Sequence, residues 1–172
     1  MDVKFINPFI NAVVKAIETM LGDSAERMAP SVKKDNIPQG DISGIIGFAS
    51  NNIYGSVALS FPTATAVLVF NKMMGESLTA INDDVRDIVG ELANIVAGGA
   101  KKEFAEMGLS FDISIPTVVM GNNHTITHKG GTPVVTVPFK LSGNSFVLEI
   151  SLKIKTTLQS ESEQQRTAMT TK

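Results

Sequence analysis

The sequence predicts an α+β fold in which a mostly antiparallel sheet of about six strands carries three helices. Two pairs of apolar, β-branched segments each enclose a short polar turn, which is the pattern of a β-hairpin. Three other segments have apolar residues at helical spacing and end at a glycine. Helix, extended segment and hairpin follow one another twice, which indicates two pseudo-duplicated halves. We therefore expect both hairpins to join one sheet whose helices lie on one face.

The first two helices are predicted from the residues at their ends. Asn7 is a favourable N-cap, Pro8 suits the first helical position, and Gly22 ends the helix. The second helix has Thr63 as its expected cap and ends at Gly75. Its valine-rich middle would also suit a strand, but the cap, the closing glycine and the length favour a helix.

The extended segments comprise two hairpins and two further stretches. In chain order they are residues 27–34, 42–49, 53–61, 110–120, 134–141 and 146–154. Pro116 interrupts the fourth segment and indicates a sheet edge or a bulge, since proline cannot donate to a β-ladder. The glycines and asparagines at residues 121–123 and 130–131 predict loops. His124 and His128 belong to this loop region and have no nearby pair of acids, so we expect surface residues rather than metal ligands.

Composition excludes several classes of function. The chain has 172 residues, a formal net charge of −2 and no cysteine. We therefore expect one domain over residues 1–155, no thiolate site and no nucleic-acid partner. Residues 156–172 are polar and lack apolar periodicity, which predicts a flexible tail. With no signal peptide, no bilayer-spanning segment and no metal-binding cluster, we expect a cytoplasmic protein without a membrane partner or a resident metal or cofactor.

The third helix carries the most informative pattern in the chain. Asn82 is its expected cap, and Gly108 ends it. Its apolar stripe consists of Val85, Ile88, Val89, Leu92, Ile95, Val96 and Gly99. On another face, three or four residues apart, lie the residues that we call the polar row, namely Asp87, Glu91, Asn94 and Gly98.

Three glycines inside this helix each cost about 1 kcal/mol relative to alanine. Gly99 lies in the apolar stripe, where close packing against a neighbouring element is the expected reason. Gly90 lies beside the polar row and Gly98 belongs to it. At each of these two positions the glycine either packs closely against a neighbouring element or leaves an uncrowded surface for a second protein. An exposed acid and amide on a helix are usually just a solvated face, so the row alone does not establish a function.

The polar row also matches a family motif. The pattern Asp-x-x-x-Glu-x-x-Asn at residues 87–94, followed by Ile-Val-Ala-Gly-Gly-Ala, resembles the signature helix of the CheC/CheX/FliY family of chemotaxis phosphatases. The likeness is densest over residues 87–102, and the order of helices and hairpins is similar over about residues 7–155. CheC-like members carry a second motif in the first helix, but here its only acid, Glu18, is followed three residues later by Leu21. The chain therefore looks most similar to the CheX type, which has one motif.

The resemblance implies an activity and a role for each residue of the polar row. Members of the family dephosphorylate the aspartyl phosphate of the response regulator CheY. Asn94 would hold the attacking water and Glu91 would pair with a lysine beside the phosphoaspartate, which makes these two the expected catalytic residues. Asp87 and Gly98 would support docking of the partner. Mg²⁺ would be brought by the response regulator, and a homodimer formed through the sheets is expected.

Two other functions remain open at this point. The same helix face can bind a receiver domain or a flagellar-switch component without hydrolysis. The chain can also be a purely structural dimer that pairs through its sheet edges, in which case substitutions in the polar row change no interaction. Hydrolysis by the wild type but not by Asn94→Ala distinguishes the enzyme from both.

Overall fold

The computed structural model describes residues 2–33, 40–128 and 132–155 and confirms the α+β prediction. The helices are α1 (Asn7–Leu21), α2 (Thr63–Met74) and α3 (Asp83–Glu106), and a short 3-10 helix (Val3–Phe5) precedes α1. The strands are β1 (Glu26–Arg27), β2 (Ser31–Val32), β3 (Gly40–Ala49), β4 (Ile53–Phe61), β5 (Asp112–Ile113), β6 (Thr117–His124), β7 (Val134–Leu141) and β8 (Asn144–Ile154). The predictions of a loop at residues 130–131 and a tail at residues 156–172 lie outside the described residues.

All described strand pairs are antiparallel and form one sheet in the order β1-β7-β8-β4-β3-β5, with β2 also on β7 and β6 also on β3. The hairpins β3–β4 and β7–β8 meet at the centre through β4 and β8. The extended segment of each half pairs with the first strand of the other half's hairpin. The arrangement agrees with the predicted duplication, since the two halves enter the sheet in equivalent ways.

Two prolines explain why the described sheet has eight strands instead of about six. Pro30 separates β1 from β2, and Pro116 separates β5 from β6, because neither residue can donate to the ladder. The predicted loop at residues 121–123 is wrong, since β6 continues to His124. The register shifts between Gly40 and Ile42 on the neighbouring strand, and this irregularity accommodates the extra residues.

The caps of α1 and α2 differ from the prediction, whereas that of α3 is confirmed. Asn7 is the first helical residue and not the cap, because the 3-10 helix leads into α1 through Ile6. The N-terminus of α2 is held by Asp41, whose Oδ2 accepts from the backbone N–H of Thr63 at 2.9 Å and from its hydroxyl at 2.8 Å. Asn82 caps α3 as expected, with Oδ1 accepting from a first-turn N–H at 3.0 Å.

Helix α3 lies close to both the sheet and α1. A Cβ placed on Gly44 of β3 would lie 2.7 Å from the carbonyl oxygen of Val89, so only glycine allows this approach. A Cβ on Gly99 would lie 3.0 Å from that of Ala12 in α1, which confirms the close packing predicted there. The buried face of α3 is also broader than the predicted stripe. It adds the small residues Gly90, Ala93, Ala97 and Ala100, whereas Ile88 and Ile95 are only partly buried.

None of the helices in the described part of the chain has the length and apolar character needed to cross a membrane.

Candidate functional site

The polar row lies on the side of α3 that faces away from the core. Asp87, Glu91 and Gly98 are exposed and Asn94 is partly exposed. Successive helical residues turn by about 100°, so the four positions fall within about 60° of one another. Val85, Val89, Leu92 and Val96 point the opposite way into the core. The core therefore fixes the direction of the row without any contact to its polar groups.

The row forms a ridge between two hollows. On one side, a groove of about 530 Å³ runs between α1 and α3 and is lined by Lys15, Ile95 and Lys102, among others. On the other side, a shallow depression of about 430 Å³ lies between α3 and β6; we call it the β6 depression. It is lined by Arg86, Asp87, Gly90, Glu91, Pro116 and Val118. A convex site of this kind suits insertion into the surface of another protein better than enclosure of a small substrate.

The functional groups of the row have no partner in the part of the chain that the structure describes. Among the described residues, the side chains of Asp87, Glu91 and Asn94 form no hydrogen bond or ion pair. The neighbouring Arg86, in contrast, pairs with Asp83 at 2.9 Å. The carboxylate of Glu91 and the amide of Asn94 are therefore available to a partner without breaking an internal contact.

The structure distinguishes between close packing and an uncrowded surface at Gly90 and Gly98. A Cβ on Gly98 would meet no atom within 4 Å, so this position is uncrowded. Gly90 is buried, and a Cβ there would lie 3.2 Å from Cγ2 of Val118. Close packing against β6 therefore explains Gly90, and open surface explains Gly98.

The prediction that His128 is a surface residue is wrong. Its side chain is only 1% exposed, and Nε2 lies 2.9 Å from Oε2 of Glu149 while Nδ1 lies 2.7 Å from Oγ of Ser56. Lys33 approaches the same carboxylate, with Nζ at 2.8 Å from Oε1 and in a hydrogen bond of 3.0 Å to Oε2. We call these four residues the histidine cluster. It lies on the face of the sheet opposite the helices, because Glu149 alternates with core residues of β8.

His124 is also anchored to the sheet instead of projecting freely into solvent. Its Nε2 lies 2.7 Å from Oγ of Ser43, which in turn lies 2.7 Å from Oγ of Ser60. The signal in the sequence is the short hydroxyl side chains of Ser43 and Ser60, which lie on the face of β3 and β4 that points away from the helices. Within residues 2–33, 40–128 and 132–155, no three His, Cys, Asp or Glu side chains are grouped as metal ligands.

Comparison with known proteins places the site in a family context. The sequence model of the family described as chemotaxis phosphatase CheX matches residues 42–140, a range that includes all of α3. The chain belongs to the CheX family. The CheY-P phosphatase CheX of Thermotoga maritima is 31% identical over 156 residues, which cover 89% of this chain and 98% of that protein. Family membership therefore classes the chain as a phosphatase of chemotaxis signalling.

Solved structures agree with this assignment. A CheC-like superfamily protein from Shewanella sp. PV-4 superposes with a TM-score of 0.84 at 38% identity, covering 89% of this chain and 99% of that one. CheX in the CheX–CheY–BeF3–Mg²⁺ complex from Borrelia burgdorferi superposes with a TM-score of 0.75 at 26% identity, covering 87% and 97%. The resemblance first noted at the polar row thus extends over nearly the whole fold.

Proposed function

We propose that this protein hydrolyses the aspartyl phosphate of a CheY-like response regulator, with Asn94 positioning the water and Glu91 docking the partner. The observation that carries the proposal is a carboxylate and an amide that have no partner among the described residues and lie on a ridge of a CheX-family chain. The T. maritima relative is named as a CheY-P phosphatase, and the B. burgdorferi relative was solved in complex with CheY. Both support a protein substrate, in agreement with the shape of the ridge.

The chemistry needs little from this chain beyond positioning. An acyl phosphate is already activated, so a well-placed water can attack phosphorus without a protein nucleophile. The amide of Asn94 can accept a hydrogen bond from that water through its oxygen and donate through its nitrogen. Because the amide is neutral, it adds no negative charge beside the phosphate. Asn94 would then lower the barrier by holding the water in line with the bond that breaks.

The other residues of the row would set the register of the complex. Glu91 precedes Asn94 by almost one helical turn, so its carboxylate can pair with a lysine next to the phosphoaspartate. Asp87 would extend this contact, and the bare surface at Gly98 would let the partner approach the helix closely. Mg²⁺ would be held by the response regulator and not by this chain. A homodimer formed through the sheets also remains our proposal, which sedimentation of the purified protein tests.

The test is the lifetime of phosphate on a purified CheY-like receiver domain with the protein added. We expect the wild type to shorten the lifetime and Asn94→Ala to lose about 100-fold in rate, the usual cost of removing one transition-state contact. Asn51→Ala, in the exposed β3–β4 turn, is the matched control and should behave as the wild type. Equal rates for wild type, Asn94→Ala and spontaneous decay would overturn the proposal.

A binding module without hydrolysis is the second candidate, because the ridge has the shape of a docking surface whatever its chemistry. In that case the phosphate lifetime is unchanged although the receiver domain binds, and Glu91→Lys abolishes the binding. Glu18→Lys, on the exposed side of α1, is the charge-matched control.

A further inference from the structure

Ile115 is the most exposed large hydrophobic side chain in the described part of the chain. It is 86% exposed, whereas the next, Val3, is 64% exposed. A single apolar side chain in solvent is ordinary for a soluble protein and does not by itself indicate a function. Ile115 differs from the other exposed hydrophobic residues in its position beside the ridge and in the rigidity of its backbone.

The position of Ile115 follows from the contacts on either side of it. Asp112 forms an ion pair with Lys101 of α3, whose Nζ lies 3.3 Å from Oδ1. Pro116 lines the β6 depression together with Glu91. The segment between these two contacts therefore runs alongside the part of α3 that carries the second half of the polar row. Ile115 belongs to this segment and so lies at the side of the ridge.

The backbone at Ile115 is held by hydrogen bonds and by its neighbour in sequence. The N–H of Ser114 donates to the carbonyl of Gly47 at 2.8 Å, and Oγ of Ser114 accepts from the N–H of Gly47 at 3.0 Å. The same hydroxyl donates to the carbonyl of Ile115 at 2.9 Å. Pro116 restricts the residue before it to extended backbone, and a β-branched side chain has few rotamers. Burial of Ile115 against a partner therefore costs little conformational entropy.

We propose that Ile115 is an apolar anchor of the docking surface and inserts into an apolar hollow of the phosphorylated receiver domain, beside the phosphoaspartate. This inference rests on the proposed function, and it adds a contact outside α3. The charged and polar groups of the row give orientation more than affinity. A rigid apolar side chain that is buried only in the complex supplies affinity. Ile115 takes no part in the attack on phosphorus.

Two observations favour the receiver domain over a second copy of this chain as the occupant. The segment from Asp112 to Pro116 contacts α3 at one end and shares a hollow with it at the other, so Ile115 is continuous with the ridge that the receiver domain would cover. Ile115 also lies between β5 and β6 and outside both. Its backbone is therefore not part of a strand edge that a second copy could extend.

The test replaces Ile115 in the phosphate-lifetime assay and measures KM for the phosphorylated receiver domain. We expect KM to rise about tenfold for Ile115→Asn, by less for Ile115→Ala and hardly for Ile115→Leu, with kcat unchanged. Val32→Asn is the matched control and should keep the wild-type KM, because Val32 is β-branched, 58% exposed and on the opposite edge of the sheet. KM does not depend on the fraction of molecules that is folded, so a modest change in stability leaves the comparison intact.

Failure of the anchor is distinguishable from failure of the proposed function. Hydrolysis by the wild type with equal KM values for the wild type and Ile115→Asn overturns only the anchor. If Ile115→Asn instead changes the sedimentation of the free protein and leaves KM unchanged, the residue serves a contact between copies, which also overturns the anchor.

If the wild type does not hydrolyse, the dissociation constant for the receiver domain with beryllofluoride is measured for the same variants. A constant about tenfold higher for Ile115→Asn than for the wild type supports the anchor in a binding module, and equal constants overturn it. A wild type that neither hydrolyses nor binds overturns both proposals.

Discussion

The polar row and the histidine cluster are two groups of polar side chains that differ in almost every physical respect. Glu91 of the row is exposed and, among the described residues, unpaired. Glu149 of the cluster is fully buried and contacts both Lys33 and His128. The comparison teaches that Glu91 is left free on the surface, where a partner protein can reach it, whereas Glu149 is buried with its partners inside the chain.

The two arrangements also differ in what they do for stability. A buried ion pair pays a large desolvation cost, so it holds two segments in register more than it adds net stability. Here Lys33 lies just after β2 and His128 follows β6, and Glu149 ties both to the central strand β8. The side chains of the row form no hydrogen bond or ion pair with the other described residues, so substitutions there should leave folding intact. We therefore expect substitutions in the histidine cluster to change stability and substitutions in the polar row to change activity. Three substitutions test this expectation.

The largest effect on stability is expected from Glu149→Gln. The amide is nearly the same size as the carboxylate but leaves the Lys33 ammonium, 9% exposed, without its counter-charge. Removing one member of a buried pair costs about 3–5 kcal/mol of unfolding free energy. Denaturant unfolding measures the loss. The phosphatase rate per folded molecule should stay at the wild-type level.

Glu91→Gln is the matched control, since it makes the same chemical change on the ridge. Its unfolding free energy should lie within about 0.5 kcal/mol of the wild type, because an exposed, unpaired carboxylate contributes little. Its KM for the receiver domain should rise. If Glu149→Gln and Glu91→Gln lost similar amounts of unfolding free energy, the buried contacts of Glu149 would contribute no more to stability than an exposed carboxylate does, which would contradict the prediction.

A smaller effect of opposite sign is expected from Gly98→Ala. Alanine is favoured over glycine inside a helix by about 1 kcal/mol, and the new methyl group meets no neighbouring atom within 4 Å. The thermal midpoint should therefore rise. If the bare surface at Gly98 serves docking, KM should rise at the same time by a few-fold, with kcat unchanged. A more stable variant with unchanged KM would remove Gly98 from the docking surface.

The same comparison shows what the sequence can predict and what it cannot. The polar row was predicted because α3 is long, its cap at Asn82 is local, and helical spacing defines its faces. Sequence patterns do not predict the histidine cluster, because His128 and Glu149 are 21 residues apart in the chain and come together only in the folded sheet. Strand alternation places Glu149 on the outward face of β8, and it gives no sign that another segment covers that face.

The residue-level errors at Thr63 and Gly90 have the same origin. Local propensity favours Thr63 as the cap of α2. The actual partner at α2, Asp41, lies 22 residues upstream and reaches the helix because β3 begins beside it. Gly90 was ambiguous for the same reason, since Val118 belongs to another element. Helical spacing and the Asn82 cap could be predicted from the sequence, whereas the partners of Thr63, Gly90 and Glu149 lie on other elements and required the fold.

A small loss of stability is expected from Asp41→Asn, which tests a carboxylate that belongs to neither region. Its oxygens accept from the N–H and hydroxyl of Thr63 at the start of α2 and from the N–H of Asn123 in β6. These donors, the Thr63 N–H foremost, lower the pKa of Asp41 below its ordinary value of 3.8. Asparagine still accepts one such bond, so at neutral pH we expect a loss of less than about 1 kcal/mol.

The pH dependence of that loss follows from the direction of the shift. Well above the unfolded pKa of 3.8 the carboxyl is ionised in both states and its stabilising contribution is complete. As the pH falls below 3.8, the unfolded chain binds a proton before the folded protein does, so the contribution declines and is gone below the folded pKa. The difference in thermal midpoint between wild type and Asp41→Asn should therefore be constant near neutrality and shrink in acid. A difference that grows in acid would mean that the protonated carboxyl is the form held by Thr63 and Asn123.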